Sequence, residues 1–190
     1  MPGTAEFTAV ACDDGEVRKL GGGTTAVACV SYRELRPVAA SVGLIRVDGL
    51  DATSVLSTLV TRIGRPPGVV FLDSITIGGF NVVSVPGLAR LTGMPVVVAY
   101  TYSPSVDRLK APLQRHFNDW ELRLRLLRLI EKAFPARTKK GPLYLVSWGL
   151  DREKALSLIE SYQLFARVPE PLRVAHRLAS ETSRLLANGG

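Results

Sequence analysis

Gly-Val-Val-Phe-Leu-Asp-Ser (residues 68–74) is an apolar run that ends on an aspartate, Asp73. A second run, Phe-Thr-Ala-Val-Ala-Cys-Asp-Asp-Gly (residues 7–15), ends in the same way on Asp13 and Asp14. Short apolar runs bounded by turn residues predict buried strands. A carboxylate at the end of a buried strand is costly unless a cation meets it, and hard cations such as Mg²⁺ prefer oxygen ligands. We therefore expect these strand ends to form a metal site if the fold brings them together.

The composition is that of a globular protein with a sizeable core. The chain has 190 residues, of which 46% are hydrophobic and 22% charged, so we predict one domain over residues 1–190. It contains no apolar run long enough to span a membrane, and its first residues lack the pattern of a signal peptide, which favours a cytoplasmic protein. Cys12 and Cys29 lie in apolar strand patterns and are expected to be buried free thiols. A zinc site is not expected, because cysteine and histidine do not cluster.

The positive charge of the chain is concentrated in one segment. Ten basic and four acidic residues between positions 107 and 140 account for +6 of the net charge of +7. A basic segment beside an acidic metal site is what a nucleic-acid-processing enzyme needs, although a solvated helix surface would explain the charge equally well. The expected phosphate-contacting residues of this segment are Arg115, Arg125, Arg128, Lys132, Lys139 and Lys140.

The order of predicted elements indicates an α/β fold. The predicted strands cover residues 7–12, 24–33, 38–47, 68–73, 95–100 and 142–146. The predicted helices cover residues 51–63, 85–92, 105–117, 119–133, 151–162 and 171–186. Three antiparallel strands followed by alternating helices and parallel strands predict a mixed five-stranded sheet with the strand order of the ribonuclease H-like fold. In that order the first and fourth strands are parallel neighbours, so Asp13 and Asp73 would meet at their carboxyl ends.

Three blocks of the sequence resemble the archaeal endonuclease dU family, which is similar to endonuclease V. They are Ala-Cys-Asp-Asp-Gly (residues 11–15), a discontinuous block over residues 48–98 that includes Val-Val-Phe-Leu-Asp-Ser-Ile-Thr-Ile-Gly-Gly-Phe-Asn (residues 69–81), and Val-Pro-Glu-Pro-Leu-Arg-Val-Ala-His-Arg-Leu-Ala (residues 168–179). Together with His-Phe-Asn-Asp (residues 116–119) they span almost the whole chain. The resemblance implies cleavage, dependent on Mg²⁺ or Mn²⁺, of a phosphodiester in DNA that contains a deaminated base, deoxyuridine above all.

The resemblance also implies a set of metal ligands. Endonuclease V carries acidic residues on its first strand, after its third strand and at the end of its fourth strand. These positions match Asp13 (or its neighbour Asp14), Asp51 (with Asp48 as the alternative) and Asp73.

His116 is interpreted either as a surface residue or as a group that contacts phosphate or protonates the leaving oxygen. The second role would replace a histidine of endonuclease V, because here Leu150 follows the matching Gly149.

Each of the other candidate residues also has a purely structural interpretation. Asp13 and Asp14 precede a glycine, a pattern that is also typical of a turn, and Asp51 has the position of a helix N-cap. The candidate nucleic-acid contacts at the end of the second block are Gly78, Gly79 and Asn81, which would let a phosphate approach the backbone or would simply form a loop. In the last helix, Arg173 would pair with a carboxylate or a phosphate, and His176 is interpreted as structural.

Two alternative functions stay open. The Pro-Tyr-Ile-Pro wedge of endonuclease V is replaced by Ser-Val-Gly-Leu-Ile-Arg-Val (residues 41–47), and this departure favours a non-catalytic nucleic-acid-binding protein on the same fold. A metal-dependent nuclease acting on RNA is the other alternative. In each case we expect a monomer or weak homo-oligomer whose partner is a nucleic acid.

Overall fold

The computed structural model describes residues 7–17 and 22–188, so the prediction that concerned the first residues lies outside the described ranges. The strands are β1 (Thr8–Asp14), β2 (Thr24–Arg33), β3 (Arg36–Arg46), β4 (Gly68–Leu72), β5 (Thr76–Ile77), β6 (Asn81–Val82), β7 (Val96–Tyr100), β8 (Phe134–Thr138) and β9 (Gly141–Trp148). The helices are α1 (Ala52–Ile63), α2 (Val85–Thr92), α3 (Asp107–His116), α4 (Trp120–Leu127), α5 (Arg152–Ser161) and α6 (Glu170–Asn188), with a 3₁₀ turn at Arg128–Lys132.

The main sheet has seven strands in the order β3-β2-β1-β4-β7-β9-β8. Its first five form the predicted ribonuclease H-like arrangement, in which β1 is antiparallel to β2 and parallel to β4. The predicted total of five was wrong, because a β8–β9 hairpin extends the sheet beyond β7. The helical pattern before this hairpin had hidden β8. Pro135 cannot continue a helix, but it is tolerated in an edge strand such as β8.

The ends of the helices show which caps could be predicted. Ser84 Oγ accepts a hydrogen bond from the Gly87 amide (3.2 Å), and Asp151 Oδ1 accepts one from the Lys154 amide (2.8 Å). Asp51 occupies the N-cap position of α1, but its side chain does not cap the helix. The Ala52 amide instead donates to Asn81 Oδ1 (3.0 Å), so the cap comes from a residue distant in sequence.

Two apolar layers cover opposite faces of the sheet. One contains Val10, Cys12 and the buried residues of α1 to α4, and the other contains Ala9, Ala11 and the buried residues of α5 and α6. Since alternate residues of a strand point to opposite faces, Asp13 continues the face of Ala9 and Ala11 and lies under α6. No helix within residues 7–17 and 22–188 is long and apolar enough to cross a membrane.

The prediction of free thiols was wrong. Cys12 and Cys29 are directly opposite one another on the antiparallel strands β1 and β2, with their Cα atoms 4.1 Å apart, and they form a disulfide. Sequence alone could not show this contact, because it depends on the pairing register of the two strands.

Helix α6 lies unusually close to the end of β1. A Cβ atom at Gly15 would come within 2.5 Å of the carbonyl oxygen of Ala179, so only glycine allows this approach. Ser183 Oγ accepts a hydrogen bond from the Ala26 amide (3.1 Å) and fixes the helix to β2. The side chains on the inner face of α6 are thereby held above the end of β1.

Candidate active site

Asp13 and Asp73 come together at the carboxyl ends of two parallel strands. The register pairs Cys12 with Leu72, so the residues that follow them, Asp13 and Asp73, are neighbours on the α6 side of the sheet. Both line a cavity of about 520 Å³ between the sheet and α6. The remaining lining residues are Ser74, Ala99, Thr101, Tyr102, Val168, Leu172, Arg173, His176, Arg177, Ser180, Glu181 and Arg184.

Asp13 is 3% exposed, and each of its carboxyl oxygens has a polar contact. Its Oδ1 accepts a hydrogen bond from the Asp14 amide (2.8 Å), and its Oδ2 lies 3.1 Å from Nδ1 of His176. Burial raises the pKa of the Asp13 carboxyl, and the charges of Asp73 and Asp14 raise it further. Burial is also the largest cause of the raised pKa of Asp73, followed by the charge of Asp14, while His176 opposes the shift. The two carboxyls therefore resist being ionised together, and a cation bound between them would relieve that conflict.

Asp14 follows Asp13 at the end of β1, and its carboxyl interacts with those of Asp13 and Asp73 as well as with the β5–β6 turn. Its Oδ2 accepts a hydrogen bond from the Gly78 amide (2.5 Å). Burial raises the pKa of Asp14, and the Gly78 amide partly offsets the shift. Gly78 is buried with φ +62°, and Gly79 follows with φ +81°, so the two glycines form the tight turn between β5 and β6. The amide of Gly78 is thus used within the protein.

The other two predicted carboxylates, Asp48 and Asp51, lie in a separate network and are not lining residues of the cavity. Asp51 Oδ1 accepts hydrogen bonds from Asn81 Nδ2 (2.6 Å) and from the Arg46 amide (3.3 Å). Asp48 Oδ1 accepts one from the Phe80 amide (2.8 Å). Asn81 is fully buried, so its side chain holds α1 and the turn rather than a phosphate.

Arg123 completes this loop network, which we define as Asp48, Asp51, Asn81 and Arg123. The Arg123 side chain is 5% exposed and forms a two-pronged ion pair with Asp119 (2.8 and 3.0 Å). Its Nη1 also donates to the carbonyl oxygens of Gly49 (2.9 Å) and Phe80 (2.6 Å). The basic composition of the segment concealed this role, because nothing in the spacing distinguishes Arg123 from its exposed neighbours.

The basic segment does not reach the cavity. His116 is exposed in the last turn of α3 and is not among the lining residues, so the structure does not bring it to Asp13 and Asp73. Helices α3 and α4 pack on the face of the sheet opposite to α6. The predicted phosphate contacts on α3, α4, the 3₁₀ turn and the β8–β9 turn are all exposed there or at the sheet edge: Arg115, Arg125, Arg128, Lys132, Lys139 and Lys140.

Helix α6 supplies the cations of the cavity instead. Of these, Arg173 was predicted, whereas His176 was interpreted as structural and Arg177 and Arg184 were missed. Their spacing places them on one face of a helix, and this is the signal that could have identified them. The correction for His176 follows from its position at the border of the buried stripe, where its side chain is 61% exposed while Nδ1 contacts Asp13.

The carboxyl pair fits a magnesium site in which the protein supplies only part of the coordination. Among the described residues no three His, Cys, Asp or Glu side chains form a cluster that could hold a metal ion. Mg²⁺ is commonly held by only one or two carboxylates, and water and substrate phosphate complete its coordination. Two desolvated carboxyls with raised pKa values that open into a water-accessible cavity have the chemistry for such a site.

Comparison with known proteins agrees with this geometry. The sequence profile described as endonuclease dU matches residues 5–183. The chain belongs to the endonuclease dU family. A UPF0215 protein of Aeropyrum pernix is 52% identical over 92% of this chain and 97% of its own length. A crystal structure of a protein of unknown function from Archaeoglobus fulgidus, 25% identical, superimposes with a TM-score of 0.79 over 93% of this chain and 98% of the other.

The fold is also that of endonuclease V. A variant of endonuclease V from Ciona intestinalis, crystallised with a 23mer DNA that contains an inosine followed by a ribo-adenosine, superimposes with a TM-score of 0.60 at 11% identity, over 94% of this chain and 86% of the other. At that identity the likeness concerns the fold alone. Family and fold confirm the resemblance identified from the sequence and support a nuclease.

Proposed function

We propose that this endonuclease dU protein is a metal-dependent enzyme that cleaves a phosphodiester in DNA containing a deaminated base, with deoxyuridine as the preferred lesion. The observation that carries the proposal is the pair of carboxyls at neighbouring strand ends, the buried Asp13 and the half-buried Asp73, which line a cavity of about 520 Å³. Ligands of open α/β sheets bind at this edge, outside the carboxyl ends of the strands.

Asp13 and Asp73 are the residues that would hold Mg²⁺ or Mn²⁺. When bound, such an ion lowers the pKa of a coordinated water and stabilises negative charge on the departing oxygen. The protein's own contribution is a fixed pair of oxygen ligands. Asp13 is oriented by the Asp14 amide on one oxygen and by His176 on the other, so its carboxylate does not have to be ordered during the reaction.

His176 is the residue that would donate a proton to the leaving oxygen. Its Nδ1 is taken by Asp13, which sets the orientation of the ring, and its Nε2 is the nitrogen available to donate a proton in the cavity. One of the alternatives weighed from sequence gave this role to His116, but the geometry supports His176.

The preference for a deaminated base is supported by the family name and by the inosine-containing DNA bound to the Ciona enzyme. The departures from endonuclease V in residues 41–47 and at Leu150 leave a non-catalytic nucleic-acid-binding protein as the second candidate function.

A cleavage assay tests the proposal. Labelled duplex and single-stranded DNA with one deoxyuridine, one deoxyinosine or no lesion, and the matching RNA, are incubated with Mg²⁺, Mn²⁺ or EDTA. We expect metal-dependent cutting of deoxyuridine DNA that is lost in Asp73→Asn and kept in Asp107→Asn, which changes an exposed carboxylate in the first turn of α3. Binding without cutting in any metal would establish the second candidate function, and cutting of RNA alone would replace DNA as the substrate.

A further inference from the structure

Three arginines project from one face of α6 into the cavity, and two of them are already paired. Arg173 Nη1 lies 2.6 Å from Glu170 Oε2. Arg184 lies 2.7 Å from Glu181 and 3.7 Å from Glu16. To bind a substrate anion, each would first have to give up a carboxylate partner.

Arg177 differs from both. It lines the same cavity, it is exposed, and within the described ranges it forms no ion pair. The nearest acidic residue along its own helix face, Glu181, is paired with Arg184. Arg177 directly follows His176, whose imidazole contacts Asp13, and it lines the same cavity as the carboxyl pair.

An unpaired guanidinium that lines the same cavity as two carboxyls suits one class of ligand. A phosphodiester approaching Asp13 and Asp73 is repelled by their negative charge, and a cation that lines the same cavity offsets that repulsion. Arginine also matches the geometry of a phosphate, because its planar group donates two parallel hydrogen bonds to two phosphate oxygens.

We propose that Arg177 binds a backbone phosphate of the nucleic-acid substrate and thereby anchors the strand over Asp13 and Asp73. The proposal rests on the proposed function in that both use the same cavity. It assigns the phosphate contact nearest the carboxyls to α6, whereas the charge distribution of the sequence had assigned phosphate binding chiefly to residues 108–140.

The experiment measures binding apart from cleavage. The Asp73→Asn protein, which removes one carboxylate and is expected not to cut, is titrated without metal against a fluorescent DNA duplex containing one deoxyuridine. Into this background we introduce Arg177→Gln or, as the matched control, Arg125→Gln, which removes the same charge from an exposed position on the opposite face of the sheet. Melting curves verify that each variant is folded, which we expect because both side chains are exposed.

We expect Arg177→Gln to raise Kd about tenfold, and to reduce the dependence of log Kd on log salt concentration by about one unit. Arg125→Gln should change Kd by less than about twofold, because an exposed charge on the far face acts only through screened, long-range attraction. Equal effects of the two variants, or a larger effect of Arg125→Gln, would overturn the proposal. A parent protein that cuts no substrate would refute the proposed endonuclease function but would leave the result of this binding assay intact.

Discussion

The cavity pair of Asp13 and Asp73 and the loop network contain the same kind of side chain in opposite surroundings. In the loop network each aspartate accepts hydrogen bonds from amides: Asp51 from Asn81 and a backbone N–H, and Asp48 from the Phe80 amide. In the cavity pair, burial raises the pKa of both carboxyls, and neighbouring carboxylates raise it further: Asp73 and Asp14 act on Asp13, and Asp14 acts on Asp73. The resemblance identified from the sequence had placed members of both groups, Asp13, Asp51 and Asp73, in one metal site.

This difference separates structural carboxylates from functional ones. A carboxylate whose oxygens are satisfied by donors stabilises the fold and gains little from a cation. Two desolvated carboxyls that oppose each other destabilise the fold, and they persist where a ligand relieves the conflict. We therefore expect changes in the loop network to act on stability and changes in the cavity pair to act on binding and catalysis.

The largest effect is expected at Arg123. Arg123→Met removes the partner of Asp119 and leaves the carbonyl oxygens of Gly49 and Phe80 without their donor in a buried position. We expect the free energy of unfolding to fall by about 3 kcal/mol or more, measured by urea denaturation.

The control for this prediction is Arg125→Met, two residues away on the same helix but exposed. It should change the free energy of unfolding by no more than about 0.5 kcal/mol. If both variants lost the same small amount, the loop network would not be the structural element that the comparison makes it.

Local chemistry explains which parts of the fold were predictable. Apolar runs fixed the strands of the five-stranded core, and the caps at Ser84 and Asp151 follow from residues within one turn of the chain. The same local rules placed Asp13 and Asp73 at neighbouring strand ends. The alternation of side chains along each strand and the order of the strands in the sheet determine the positions of the two residues. Of the β8–β9 hairpin, β9 was predicted as a strand over residues 142–146, whereas β8 was missed because it directly follows a helical pattern and begins Phe-Pro.

The site residues that sequence could not predict depend on contacts between distant segments. Asp51 has the sequence features of a helix cap, and only the position of Asn81 shows that another residue fills that role. His176 has the spacing of a core residue relative to Leu172 and Ala179, yet it lies at the edge of that stripe and faces Asp13. The cysteine pair likewise depends on strand register, which no single segment encodes.

The cavity pair should make stability depend on pH in a direction that can be measured. A carboxyl whose pKa is raised on folding binds more protons in the folded state, so it stabilises the fold below the ordinary aspartate range and that stabilisation is lost as the pH rises. Asp13→Asn removes this effect. Without metal, we expect the variant to be more stable than the parent by about 1 kcal/mol or more at pH 8 and to match it near pH 4.

Thermal or urea denaturation of parent and Asp13→Asn in EDTA across this pH range tests the prediction. Asp107→Asn is the control, because its carboxylate is exposed. A parent protein that became more stable than Asp13→Asn as the pH rose would show that the Asp13 carboxylate is well solvated or paired in the fold, contrary to the comparison.

The smallest effect is expected from Asp51→Asn. This variant nevertheless distinguishes most directly between Asp51 as a structural carboxylate and Asp51 as a metal ligand. An asparagine at this position keeps an oxygen that accepts from Asn81 and from the Arg46 amide, so we expect the free energy of unfolding to change by about 1 kcal/mol or less. Because Asp51 does not line the cavity, cleavage and any rise of Tm caused by Mg²⁺ should be retained, whereas Asp73→Asn should lose both. Loss of both in Asp51→Asn with unchanged stability would return this residue to the metal site that the resemblance implies. It would also mean that the hydrogen bonds from Asn81 and Arg46 orient a ligand rather than replace one.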